Sequence, residues 1–313
     1  MRSREWPTSY ERLEEFTAPF ADRRQILCSI LQERGLPYTP VDIAGNRHIF
    51  VGELPRELPG GESGGTVLTA HYDRADGSPG ANDNSAAVFQ LVDAAVRLRA
   101  GGGPGNWLMV FTDKEELRPG ESLDKQGSYG LAGALGDQNI FIFDACGVGE
   151  SLVISLTVDY LLKDIKNSEA LKLRERTRRL RNRALETARG MAPGTGPAQV
   201  ILAPTPFSDD AGFLRAGMAA QTLTVLPAGE AAAFKALLKE RPGLAEQVLN
   251  PRSRRLLPRT WQSLNGPGDS LRKLTPRHFN GIAEFICALC RGKPGEPGLA
   301  GLAGQVYMPN IPL

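Results

Sequence analysis

A chain of 313 residues, 41% hydrophobic and 23% charged, is long enough to bury a sizeable core in one large α/β domain or two small ones. A formal net charge of +2 is too small to argue for nucleic acid or a membrane surface as partner. Four cysteines (Cys28, Cys146, Cys287, Cys290) are too sparse for a disulfide framework, the opening "MRSREWPTSYERLEEF" has no apolar core of a secretory signal, and no apolar run spans a bilayer, so a cytoplasmic protein with reduced thiols is expected.

The elements alternate along the chain. "ADRRQILCSILQERG" (21–35) reads as a helix with Asp22 as N-cap and Gly35 as stop. "VDIAGNRHIFVGEL" (41–54) reads as a hairpin about Gly45-Asn46, with His48 a structural residue of its second strand. "TVLTA" (66–70) is a short buried strand and "SAAVFQLVDAAVRL" (85–98) a helix. "NWLMVFT" (106–112) and "NIFIFD" (139–144) are strands, with a short helical piece near "SYGLAGAL" between them. "SLVISLTV" (151–158) reads as a strand and "SEALKLRERTRRLRNRALETA" (168–188) as a long helix. "AQVILAP" (198–204), "DDAGFLRAG" (209–217), "QTLTVLP" (221–227) and "EAAAFKALLKE" (230–240) continue as strand, helix, strand and helix. The last helix opens with Thr275 as cap and Pro276 in its first turn; Cys287 and Cys290 lie in its apolar pattern as packing residues, and His278 is read as structural. The arginines at 174–183 and 252–259 read as a solvated helix face and a loop. The order predicts an α/β fold: a mostly parallel mixed sheet flanked by helices on both faces, in one domain over 1–313, with an inserted helical and loop segment at about 229–260 and an irregular tail at 292–313.

In an open α/β sheet the ligand site lies outside the carboxyl ends of the strands. "TVLTA" is followed by His71 in "HYDRADGSPGANDN", and Asp83 immediately precedes the helix that opens at 85. "NWLMVFT" is followed by "DKEE", with Glu115 and Glu116, and "NIFIF" by Asp144. Four connections therefore deliver a histidine or a carboxylate to one edge. Carboxylates packed together resist ionisation, and a divalent cation removes the conflict. Mixed oxygen and imidazole donors suit zinc, with manganese or cobalt as other candidates.

The pieces "HYD", "GANDNSA", "DKEEL", "GS" at 127–128, "FIFDACG", "SDDAGFLRAG" and "WQSLNGPGDSLRKL" resemble, in order, the M28 metallopeptidases, zinc aminopeptidases whose relatives include glutamate carboxypeptidases and glutaminyl cyclase. The resemblance covers roughly residues 20 to 290 and implies a zinc-exopeptidase-like three-layer sandwich. It makes His71 a zinc ligand oriented by Asp73, Asp83 a bridge between two metals, Asp144 the last protein ligand of the first and Glu116 a ligand of the second. Glu115 becomes the general base that takes a proton from a zinc-activated water. A cis peptide between Asp83 and Asn84 is implied as well.

Two motifs depart from the family. Asn265 in "LNGPGDS" stands where a histidine normally completes the second metal site, and an amide oxygen is a far weaker donor than imidazole. "SDD" replaces the usual S-D-H; Asp209 and Asp210 are not expected to restore the lost ligand, though Asp210 is expected near the substrate. One tight zinc and a weak or absent second ion follow. Glutaminyl cyclase uses a single zinc at the site that is altered here, which argues against cyclase activity. The stretch "LRPGESLDKQ" (117–126) is expected to narrow the cleft or cap it. The expected function is a metal-dependent aminopeptidase of small peptides; the alternative is a non-catalytic peptide-binding or scaffolding relative. Intact Glu115 favours the first and Asn265 the second.

Overall fold

The computed structural model describes residues 10–53, 65–101, 106–241, 243–249 and 255–291, so the tail expected at 292–313 lies outside the described residues. Eight strands form one mixed sheet: β1 (Tyr38–Ile43), β2 (Asn46–Gly52), β3 (Thr66–His71), β4 (Trp107–Thr112), β5 (Asn139–Phe143), β6 (Ser151–Ser155), β7 (Gln199–Ala203) and β8 (Ala220–Leu226). The helices are α1 (Leu13–Thr17), α2 (Arg23–Glu33), α3 (Ala86–Ala100), α4 (Gly127–Leu135), α5 (Thr157–Leu162), α6 (Ser168–Gly190), α7 (Asp210–Arg215), α8 (Ala228–Glu240), α9 (Leu244–Val248), α10 (Arg259–Gln262) and α11 (Phe279–Arg291). The strand order is β1-β2-β4-β3-β5-β8-β6-β7. The run β4-β3-β5-β8 is parallel throughout, as is β6-β7, while β1-β2, β2-β4 and β8-β6 are antiparallel.

The period-two pattern of the central strands shows why both faces are covered. Leu68 and Ala70 of β3, Met109 and Phe111 of β4, and Phe141 and Phe143 of β5 join a core with Leu27, Phe89, Phe285 and Ile286 from α2, α3 and α11. Their alternates Val67, Leu108, Val110, Ile140 and Ile142 pack on the other face against Leu131, Leu135 and Phe213 from α4 and α7. A third cluster lies over β6 and β7, where Val153, Ile201 and Ala203 meet Phe234 of α8, Val248 of α9 and Trp261 of α10. The Phe234 and Trp261 rings meet edge to face at 5.6 Å.

Local chemistry sets the element ends. Asp22 caps α2, its side chain accepting the Gln25 N–H at 3.0 Å. The hairpin turns on Ala44-Gly45 rather than Gly45-Asn46: both carry positive φ, 53° and 79°, and Asn46 pairs with Ile43. This is the combination a two-residue primed turn requires. β6 stops at Ser155, three residues before the predicted end, because the Ser155 hydroxyl accepts the Thr157 N–H at 3.1 Å and α5 begins there. Thr275 makes no side-chain cap; its hydroxyl instead takes the Gly149 N–H at 2.7 Å. On α6, Arg176 pairs with Asp137, Arg181 with Asp159 and Arg178 with Glu175. No helix among the described residues is long and apolar enough to cross a membrane.

His48 is fully buried on β2, and its Nδ1 accepts the Asp113 N–H at 3.3 Å. Burial pulls its pKa down to about 4, with Asp42 and Asp73 opposing. The unfolded chain returns the ring to about 6.5, so between these values the unfolded state holds the extra proton. Stability is expected to fall as pH drops from about 6.5 toward 4, by about 3 kcal/mol at the lower end from this residue. His48→Asn keeps an acceptor for Asp113 and removes the titration. Urea denaturation across that window should show a shallower dependence in the variant, and equal slopes would clear His48 as a cause.

Candidate metal centre

β3, β4 and β5 end at one edge of the sheet, and the residues at and just beyond those ends converge. His71 is the last residue of β3, and Asp144 follows β5, fixed by its N–H on the Leu223 carbonyl of β8 at 3.0 Å. His71 is fully buried; its Nδ1 lies 3.2 Å from Asp73 Oδ1, and its Nε2 lies 3.0 Å from Asp83 Oδ1 and 3.8 Å from Asp144 Oδ1. With a hydrogen on Nδ1 facing Asp73, Nε2 is the ring nitrogen turned to the two carboxylates.

One donor atom from each of His71, Asp83 and Asp144 can be chosen so that all lie within 4.8 Å of one another. Tetrahedral zinc ligands stand roughly 3.3–3.6 Å apart, so the set needs only small adjustments to hold the ion. Asp144 Oδ1 is buried and has no protein hydrogen-bond partner, a cost that a bound cation would relieve. These residues fit zinc.

The charges point the same way. Burial raises Asp83 to about 6 and Glu116 to about 8, with Asp144 and Asp83 respectively adding to the effect. Glu115 is pushed well above the carboxylate range by burial and by Glu116, Asp144 and Asp209, against the opposing field of His71. Burial opposes charge on His71, yet Asp144, Asp73, Asp83 and Glu115 together hold its pKa well above the ordinary value. Crowded acids that raise one another, around a ring they force toward its charged form, have the electrostatics of a cation site.

Asp73 is the organiser. One oxygen faces His71 Nδ1 and also accepts the Glu115 N–H at 3.2 Å; the other accepts the Glu116 N–H at 3.0 Å. A single carboxylate thereby ties the end of β3 to the loop after β4. Burial works against its charge, but His71 and the two N–H groups keep its pKa low.

The segment "GANDNS" (80–85) answers for its unusual composition residue by residue. Gly80 has φ +59°, and a Cβ there would lie 2.7 Å from the Asp83 carbonyl. Asn82 Oδ1 accepts the Gly147 N–H at 2.7 Å, and Asn84 Nδ2 donates to the Phe143 carbonyl at 2.8 Å, so both asparagines fasten the turn to the residues around Asp144. The peptide between Asp83 and Asn84 is cis, as the resemblance implies. The backbone N–H groups of Asn82 and Asp83 donate to the two oxygens of Asp269 at 2.8 and 3.0 Å. Arg23 of α2 holds the preceding loop from beneath, donating to the carbonyls of Phe16, Tyr72, Asp73, Pro79 and Gly80 and to the Ser85 hydroxyl at 2.5–3.2 Å. Burial lowers its pKa to about 9, which leaves it charged at neutral pH.

Gln126 Nε2 reaches both the Glu115 carbonyl and Glu115 Oε1 at 3.2 Å. At Gly127, whose N–H donates to the Lys114 carbonyl at 3.0 Å, any Cβ would collide with the Asp113 carbonyl. Lys114, Ala145 and Asn265, each at or next to a site residue, have left-handed backbones with φ of 57°, 51° and 56°.

Glu116, the expected ligand of the second ion, stands apart from the group of three. The Asn265 amide stands between it and Asp83, 2.6 Å from Asp83 Oδ2 and 2.7 Å from Glu116 Oε1. Both carboxylate oxygens are acceptors, so the amide is assigned with its nitrogen toward them, one hydrogen for each. Asp209 and Asp210 are both buried and lie outside the donor group; Asp209 accepts the Thr112 hydroxyl at 2.6 Å and Asp210 the Ser208 N–H at 2.8 Å. Burial raises them to about 6 and about 7.

Sequence reasoning passed over Asp269, Arg23 and Gln126. Asp269 carried a usable signal, as the one acid in a glycine- and proline-broken segment already singled out for Asn265. Arg23 and Gln126 carried none, because most of their partners are backbone atoms distant in sequence.

The model of peptidase family M28 matches residues 51–236, more than half of the chain. No curated protein matches the sequence. Among solved structures, a leucine aminopeptidase precursor from Bacteroides thetaiotaomicron is similar with a TM-score of 0.59 at 14% identity, over 91% of this chain and 96% of its own. A glutaminyl cyclase from the same organism, bound to N-acetylhistamine, is similar with a TM-score of 0.59 at 14% identity, over 93% of this chain and all of its own. The zinc aminopeptidase of Bacillus subtilis is 17% identical with a TM-score of 0.47, over 78% of this chain and 49% of its own, so this chain spans about half the length of that protein. Identities this low speak for the α/β fold alone.

Proposed function

Because the chain belongs to peptidase family M28, we propose that it is a metal-dependent exopeptidase, an aminopeptidase of small peptides, with zinc held by His71, Asp83 and Asp144 and Glu115 as general base. The observation that carries this reading is the convergence of three donors around a buried, unpartnered Asp144 oxygen, with Glu115 fastened to the same Asp73 that orients His71. A three-donor set leaves a coordination position open, as hydrolytic zinc requires.

Zinc bound there supplies Lewis acidity. The protein's own groups do the rest. Asp73 keeps the His71 hydrogen on Nδ1, so that Nε2 stays a donor. Glu115, whose pKa burial and the neighbouring acids raise, takes a proton from the attacking water and delivers it to the leaving amine. Gln126 restrains the Glu115 carboxylate during that transfer. An aminopeptidase also needs a carboxylate for the substrate ammonium. Asp209 and Asp210, 0% and 2% exposed, are closed off from a substrate, which leaves the half-buried Glu116.

The test is metal analysis of the purified protein, followed by assay of leucyl-anilide and N-acetyl-leucyl-anilide with added zinc, manganese or cobalt. Metal-dependent release from the free amine alone is expected. A metal-loaded protein that hydrolyses neither substrate would overturn the peptidase reading in favour of a peptide-binding relative, the reading that Asn265 favours.

A further inference from the structure

The segment after α10 grips Asp83 twice. Asp269 accepts its backbone N–H at 3.0 Å, and the Asn265 amide nitrogen meets its side chain at 2.6 Å while reaching Glu116 at 2.7 Å. The family resemblance puts a second metal ion between Asp83 and Glu116, with a histidine at position 265 as its last ligand. The residues here do not fit that ion. Turned so that its nitrogen faces the two carboxylates, the amide spans the gap with N–H hydrogens where a metal would need lone pairs.

We propose that the Asn265 amide takes the place of the second cation, clamping Asp83 to Glu116 so that the site works with one metal ion. This rests on the metal reading above. It goes beyond a weak second site: the position is closed by a group that does part of the ion's work. A divalent ion would hold the two carboxylates together through charge; a neutral two-hydrogen donor holds them through one hydrogen bond each. The acceptors are carboxylates, which makes both bonds charge-assisted when the acids are ionised. Asp83 is then fixed from both sides, backbone by Asp269 and side chain by Asn265, and stands aligned for His71 and Asp144 without help from another metal. The left-handed backbone at 265, φ 56°, is one that asparagine tolerates better than most residues and histidine also adopts, so position 265 can be exchanged without rebuilding the segment.

The test strips the full chain with chelator, reloads it with zinc alone and counts bound ions by elemental analysis and calorimetric titration. The parent should hold one equivalent and Asn265→His two. Asn265→Ala should still hold one, with affinity lower by about 10-fold or more because Asp83 has lost its partner. Two equivalents in the parent would overturn the proposal. So would a single equivalent in Asn265→His, or an unchanged zinc affinity in Asn265→Ala. No zinc in the folded parent would bring down the metal reading itself, a different and separable failure. Circular dichroism of each variant before titration establishes that a lost equivalent is not a lost fold.

Discussion

Glu115→Gln is expected to lower the turnover of leucyl-anilide by on the order of 10²–10⁴-fold while metal content stays at the parent's level. The amide is nearly isosteric, but it cannot accept a proton from water or carry one to the leaving amine. Glu115 lies outside the group of His71, Asp83 and Asp144, so the ion has no reason to leave with its charge. Its backbone N–H still reaches Asp73, and its carbonyl still receives Gln126, so the loop after β4 keeps its position. Activity and metal content measured on the same preparation separate the outcomes. Parent-like activity would remove Glu115 from the mechanism, and loss of the metal would make it a ligand.

The largest effect on stability is expected at Arg23. Arg23→Met keeps the length of the side chain and its contact with the Phe16 ring, over which the guanidinium lies at 4.7 Å, but strips the donors from five carbonyls and the Ser85 hydroxyl. Buried acceptors left without donors cost far more than an average hydrogen bond is worth, and a loss of about 3–5 kcal/mol is expected in urea denaturation. The melting temperature should fall by on the order of 10 °C. Arg23→Lys should recover only part of this, since an ammonium has three hydrogens to place where the guanidinium makes six contacts. A loss below about 1 kcal/mol in the methionine variant would mean that water replaces the side chain in the loop at little cost.

The elements that build the sheet were legible because alternation and helical periodicity are local. So were His71, Asp83 and Asp144, since each stands where a strand or loop hands over to the next element, and the order of the strands brings those ends together. What the chain could not display was the direction of side chains whose partners are remote. "DRRQ" offers two adjacent arginines, and only the phase of α2 decides that Arg23 is buried while Arg24 is half-exposed. Nor could the chain display that the Asn265 amide comes to stand between Asp83 and Glu116. Run-on patterns failed for a related reason: "SLVISLTV" stays β-prone through Val158, and one hydroxyl, that of Ser155, ends the strand.

The left-handed backbones at Lys114 and Ala145 have a bearing on how this protein could be improved or degraded over generations. Each position holds a side chain where glycine would be free of the steric penalty of roughly 1 kcal/mol or more. Glycine there would also widen the range of conformations open to the neighbours of Glu115 and Asp144. The steric relief that glycine brings and the entropy it costs therefore oppose each other at these two positions.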